Sequence, residues 1–358
     1  MVGSIDEAVV LVGEIVRQAE FFDYLEEIRG QADRLGLVDA IARRDTPALY
    51  DWLIESFSFQ GVSDRVAWTY IATHGNATWA AVEASLEMSR CKCPKLGSFE
   101  AYQGCRYRKS LRTCAEPTFI HRCPVPTLPL RKGDLNQLAF ALFYFLRDRC
   151  NGDLVGFLDG LFEAIDSQPI DDRLSVKRDA LLEAMSEIFG ISDKLIGMTF
   201  ANLLIGGDPD RSDWVAVGQS LIAVDSLVHN FLHRTGVLGA FELSHPYGDR
   251  CYGDTGCAGI LYELSERIDA RTVNPAFPAT FPRLIQSAIW QFAAESRRNI
   301  CNGRQIDDRF GCSSLTCPVG AICSRLPITK PIPVTQPDEP DPVEATSGTA
   351  NTDQGEPQ

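Results

Sequence analysis

Apolar residues recur at three- and four-residue spacings through eleven stretches of the chain: 6–29, 47–57, 63–73, 77–88, 134–149, 153–164, 175–188, 193–205, 214–233, 257–269 and 282–298. That period belongs to helices with one buried face, because side chains return to the same side about every 3.6 residues. Alternating, strand-like runs are nearly absent, so the chain is expected to be all-α. Turn and cap residues separate the segments, as at Thr46-Pro47, Asn76-Ala77-Thr78 and Gly206-Gly207-Asp208-Pro209. No repeat of solenoid length runs through them, which predicts a many-helix globule rather than an array. With 358 residues, 45% of them hydrophobic, there is material for one large or two ordinary cores.

Charge and hydropathy then remove function classes. No apolar run approaches the roughly 18 residues that span a bilayer, and the first helical stretch is interrupted by Glu14, Arg17 and Glu20, so no membrane partner is expected. The first residues lack the basic start and apolar run of a secretory signal, and the cytoplasm is the expected compartment. The formal charge is −14; with the six carboxylates of 331–358 set aside, where there is no Lys or Arg, residues 1–330 still carry −8. A uniformly basic nucleic-acid binder is excluded, and any such surface must be a local patch with salt-sensitive binding. The tail 331–358 is acidic and poor in large apolar residues, and is predicted to be disordered.

Nine of the twelve cysteines fall in the two stretches that break the helical pattern, 91–129 and 301–327. In a reducing compartment such clusters are better metal ligands than disulfides. Cys301, Cys312, Cys317 and Cys323 could hold a [4Fe–4S] cluster or a zinc ion, and spacing alone does not choose between them. The other loop runs Cys91, Cys93, Cys105, Cys114, His121, Cys123 and follows no standard zinc pattern; a structural zinc and a coincidental grouping both remain open. Within it, Arg106, Arg108 and Lys109 flank Tyr107, which suits either a contact to a DNA backbone or a solvated loop. Cys251 and Cys257 lie near His245 and Tyr252 without a diagnostic spacing. His229 and His233 share a helical face, and for both the core-histidine reading is preferred to ligation of DNA or metal.

The run Met185–Lys194, continuing through Leu195–Leu204, and the later run Leu221–Gly236 carry a further signal. Gly190 can supply a tight turn after the helix 175–188, and Ser192 with Asp193 suits the cap of the next helix. The exposed N–H groups of such a helix start can take one phosphate. These residues resemble the helix-hairpin-helix and catalytic-aspartate segment of the DNA glycosylases of the endonuclease III superfamily. The resemblance implies that Asp225 stabilises charge on the deoxyribose as the base leaves; taken alone, Asp225 reads equally as a helix N-cap. It also aligns Lys194 with the Schiff-base lysine of the glycosylase/lyase branch, whereas a second register puts Thr199 there. Ser192 replaces the second hairpin glycine, and about a dozen extra residues, near Asp208–Gln219, precede Asp225. The stretch Leu53–Trp68 is similar to the family segment whose glutamine wedges into the DNA stack, which implies Gln60 as wedge against a plain C-cap, with Ser63 as an N-cap.

The family places a [4Fe–4S] cluster where Cys301–Cys323 lies. The organisation expected from this resemblance is a helical lobe at 46–236, with the Cys-rich insertion 91–129, and a second lobe of 1–45 plus 237–330. The partner implied is duplex DNA with a damaged or modified base, bound by a monomer associated with the nucleoid. Two other classes stay open: a non-catalytic DNA-binding protein of the same fold, and a metal-cluster interaction or redox protein without a DNA role.

Overall fold

Helix starts fall where the sequence supplies side-chain acceptors. The hydroxyl of Ser4 accepts the N–H of Glu7, Asp45 accepts that of Ala48, and Asp153 that of Gly156, each satisfying one of the unpaired first-turn donors. The computed structural model describes residues 2–59, 62, 64–89, 92–131, 133–253 and 255–328. Gln60, Ser63, Cys91 and the tail 331–358 lie outside the described residues.

The helices are α1 (Ile5–Arg17), α2 (Tyr24–Arg34), α3 (Leu37–Ala42), α4 (Thr46–Phe57), α5 (Asp64–His74), α6 (Trp79–Met88), α7 (Phe99–Tyr102), α8 (Gly133–Tyr144), α9 (Leu154–Asp166), α10 (Arg173–Ser186), α11 (Asp193–Gly207), α12 (Ser212–Ser220), α13 (Ser226–Thr235), α14 (Val237–Ala240), α15 (Cys257–Arg267) and α16 (Pro282–Ala293). The one strand pair among the described residues is antiparallel, β1 (Tyr107–Arg108) with β2 (Thr113–Cys114). The protein is thus mostly helical, as its periodicity predicts. Two predicted segments divide. The stretch 6–29 breaks between α1 and α2, where Glu20 takes a positive φ of 56°. The stretch 214–233 breaks at extended residues 221–225, so the insertion before Asp225 folds as α12.

Buried apolar side chains form two clusters. The larger runs from Ala32 to Leu221 and is threaded by α8, whose residues are buried except for the half-buried Asp134. A helix apolar on every side belongs in the middle of such a cluster. The smaller joins Val2–Tyr24 of the N-terminal segment to residues from Ile222 to Val319. The apolar clusters therefore divide the chain at 221/222, not 236/237, and Ala32–Ile41 belongs with the larger one. The reason is local: α2 passes from one to the other, with Tyr24 in the smaller cluster and Ala32 in the larger. A Cβ on Gly206 of α11 would lie 2.8 Å from that of Ala32, so α2 seats closely on α11. No helix among the described residues is long and apolar enough to cross a membrane.

Candidate functional site

The turn between α10 and α11 forms as its residues predict. Gly190 sits at φ +85°, a conformation that costs glycine little, and Ser192 is extended at the N-cap of α11. The Ser192 hydroxyl caps nothing, so the first N–H groups of α11 are left for another acceptor. Gly197, one turn into α11, has no room for a Cβ because the Ile222 carbonyl occupies that space. This backbone contact fixes the extended segment 221–225 along α11 and brings Asp225 towards the turn.

Asp225 is half-buried at the N-cap of α13, and one carboxylate oxygen accepts the Val228 N–H at 2.9 Å. The plain N-cap reading holds; capping occupies one oxygen and leaves the other for further contact. Lys194 is half-buried in the first turn of α11. Thr199, which the second register puts in the lysine slot of a monofunctional enzyme, is 2% exposed with a hydroxyl that finds no partner. In that register Lys194, with its open side, is a phosphate contact or a solvated charge.

Residues 244–256 form a loop over Asp225. The Tyr252 hydroxyl donates to the Val224 carbonyl at 2.6 Å. Burial raises the Tyr252 phenol, with further increments from Tyr247, Asp193 and Asp225, so this loop touches both the start of α11 and the cap of α13. Tyr247 is 47% exposed; desolvation of its covered half raises its phenol, followed by the charges of Asp225 and Cys251.

Beneath the loop lies a group that the sequence does not announce. His229 of α13, His245, Cys251 and Cys257 at the start of α15 are all buried, and their four ligating atoms lie within 4.8 Å of one another. The His229 Nδ1 stands 3.3 Å from the Cys257 Sγ and 3.6 Å from the Cys251 Sγ, while the His245 Nε2 is 3.8 Å from the Cys257 Sγ. A hydrogen bond from Cys257, with burial opposing and His229 assisting, lowers the Cys251 thiol, and Cys257 is raised in return. This arrangement could bind a metal ion. His229 is thus a buried histidine with its ring nitrogen satisfied, as the core reading has it, and its partners are two thiols that could share a metal with it; His233 is half-buried, with its Nδ1 unpartnered.

The four C-terminal cysteines gather differently. Cys301, Cys312, Cys317 and Cys323 line one small pocket together with Phe231 and Arg234 of α13. Burial pushes the Cys301 thiol up to about 12 and raises those of Cys317 and Cys323 as well. Their sulfurs do not form a single-ion set, unlike the group above. They surround space. Arg234 is 1% exposed; its Nη2 pairs with Asp308, and its Nη1 is buried with no partner.

In the Cys-rich insertion, Cys105 lies within electrostatic reach of Cys93 and Cys114, and Tyr102 within reach of Cys105 and Cys123. Among the described residues these thiols form no single-ion set. The Glu116 N–H donates to the Cys114 Sγ at 3.4 Å, as the Arg325 N–H does to the Cys323 Sγ at 3.3 Å. The insertion's cations sit on the β1–β2 hairpin, where Arg106, Arg108 and Lys109 are exposed and Arg106 pairs loosely with Glu116 at 3.4 Å. At Gly133, which opens α8, the Lys109 carbonyl leaves no space for a Cβ. One residue on, the Asp134 carbonyl would be 3.9 Å from a Cβ on Gly190. The start of α8 therefore separates the basic hairpin from the Gly190 turn by about its own width.

The chain matches no protein-family model, no curated protein and no solved structure.

Proposed function

We infer that this protein is a DNA glycosylase that breaks the N-glycosidic bond of a base turned out of the duplex. The observation that carries the reading is the junction of Asp225 with the α10–α11 turn, made by the Gly197–Ile222 backbone contact. The uncapped N–H groups of α11 are suited to one phosphate, and Arg106, Arg108 and Lys109 on the neighbouring hairpin to others. Such a local patch reconciles DNA binding with an acidic chain. Gly190 and Ser192 would hold the backbone in register beside Asp225.

In the reaction the C1′–N bond breaks and its electron pair leaves with the base. Water adds its oxygen to C1′, and one of its protons ends on the departing base. The Asp225 carboxylate stabilises the positive charge that builds on the sugar and can accept that proton in transit. In a lyase-coupled version the Lys194 amine takes the place of water and forms a Schiff base with C1′.

A [4Fe–4S] cluster fits the Cys301–Cys323 cavity. The unpartnered Nη1 of Arg234 on its wall would meet the negative charge of a thiolate-bound cluster, and a cubane needs thiolates spaced around a volume, not around a point. Held there by Cys301, Cys312, Cys317 and Cys323, it would tie residues 301–323 to α13 in place of an apolar core. The backbone N–H···S bond shared by Cys114 and Cys323 supports a metal group, zinc or a second cluster, in the Cys91–Cys123 loop as well.

Asp225→Asn tests the enzyme reading on duplexes carrying damaged bases. Base release should fall at least about 100-fold, the usual cost of removing a transition-state charge partner, with DNA affinity within several-fold of wild type. Undiminished release would refute it. Salt-dependent binding without base release by the wild type would favour the non-catalytic DNA-binding protein, and absence of binding at low salt the metal-cluster protein.

A further inference from the structure

We propose that His229, His245, Cys251 and Cys257 hold a single zinc ion, and that this ion braces the loop 245–256 so that Tyr247 becomes the wall on which the extruded base stacks beside Asp225. The zinc half stands on its own geometry; the Tyr247 half rests on the glycosylase reading.

The distances select the ion. Around a tetrahedral zinc, bonds of about 2.3 Å to sulfur and 2.0–2.1 Å to nitrogen put neighbouring N and S atoms about 3.6 Å apart. Three of the four N···S separations here are 3.3, 3.6 and 3.8 Å, and the fourth is within 4.8 Å. A two-iron cluster with two cysteines and two histidines carries its thiolates on one iron and its imidazoles on the other, which segregates sulfur from nitrogen. Here they interleave, since His229 approaches both cysteines. The second shell is also in place. The Nδ1 of His245 lies 2.9 Å from the Pro246 carbonyl, and donating there fixes the tautomer whose Nε2 lone pair faces Cys257. All four ligands are buried, which is the mark of a closed, structural site with no position left for a substrate.

What the ion would brace follows from the loop's course. Its ligands enter from α13, from the loop itself at His245 and Cys251, and from the first residue of α15. Between the ligands the chain turns sharply: Gly256 has no space for a Cβ against the Arg250 carbonyl. Tyr247 is thereby held two residues from one ligand and with its ring 5.9 Å from the imidazole of another, His229. The ring keeps 47% of its surface exposed, and the His229 it faces lies one turn along α13 from the Asp225 cap, so ring and carboxylate share one end of that helix. An exposed aromatic face with few ways to move is what a base taken out of its stack needs to recover stacking energy.

Metal analysis of the full chain, expressed with zinc and iron both supplied, tests the first half. Cys251→Ser with Cys257→Ser should lower the zinc content by one ion per chain relative to wild type while the iron content stays unchanged. Cobalt(II) reconstitution of the otherwise intact protein gives a second reading independent of variant folding: a tetrahedral two-sulfur site should show intense visible ligand-field bands and a thiolate charge-transfer band. A zinc content undiminished in the double variant, or an octahedral cobalt spectrum, overturns the site. For the second half the probe is a duplex with 2-aminopurine placed in a mismatch. Tyr247→Ala should weaken its binding about tenfold and abolish the fluorescence change on extrusion, while Tyr247→Phe keeps both, since stacking one base on an aromatic ring is worth about 1–3 kcal/mol. Equal behaviour of wild type and Tyr247→Ala overturns the stacking role. If wild type itself fails to bind the duplex, the glycosylase reading and the Tyr247 role fall together, and the zinc site stands or falls on its own metal analysis.

Discussion

Two sulfur-rich regions hang on the same helix and solve opposite problems. At the middle of α13, His229 meets three ligands drawn from a loop and from α15, with every ligand buried and all four donor atoms inside 4.8 Å. One turn further on, Arg234 and Phe231 face a pocket whose four cysteines come from one short stretch and, apart from Cys301, are only half-buried. The first is a point of closure between elements that already have a core. The second replaces a core, because residues 301–323 supply few apolar side chains to the smaller cluster beyond Ile306, Val319 and Ile322. A metal group in the first site fixes a loop, whereas in the second it holds a whole segment in place.

That difference orders what damage to each should do. Cys301→Ser is expected to have the largest effect, loss of the iron together with the fold of 301–328. Structural metal binding supplies folding energy on the order of 10 kcal/mol to segments that lack a core of their own. Iron assay with limited proteolysis reads this out, and an iron-replete, protease-resistant variant would break the contrast. Cys257→Ser should cost less, about 3 kcal/mol for a broken buried ligand network, seen as a fall of several degrees in Tm with iron retained. Gly236→Ala comes next. Gly236 caps α13 at φ +88°, and an added Cβ would lie 2.8 Å from that of Ser324 and 3.2 Å from the Val2 carbonyl. A destabilisation of about 1–2 kcal/mol is expected, with faster iron loss in air but unchanged zinc. Equal loss of both metals would show that the two sites are not independent. Smallest is the triple change of Arg106, Arg108 and Lys109 to Ala. It should leave both metals and Tm alone while lowering the slope of log K against log salt by about 1 per contact removed.

Much of the fold was legible because helical signals are local. Ser4, Asp45 and Asp153 mark helix starts that form where their side chains can accept first-turn N–H groups. Gly190 likewise takes the left-handed conformation that its place after an apolar helix demands. The breaks within 6–29 and 214–233 were not legible, since the apolar period continues across both while the chain turns. Of the candidate site, Asp225 and Lys194 appear with open sides and Thr199 without one. Lys194 and Thr199 differ in burial, which periodicity does not report for neighbours on one helix.

The amino-acid order alone determined the helices, the Gly190 turn and the C-terminal cysteine set, whose members are close along the chain and need little else to meet. Tertiary structure decided the group of His229, His245, Cys251 and Cys257. Its end members are 28 residues apart, and they meet because α13 and α15 both pack against α16, an arrangement set by side-chain complementarity across the core and by no spacing along the chain.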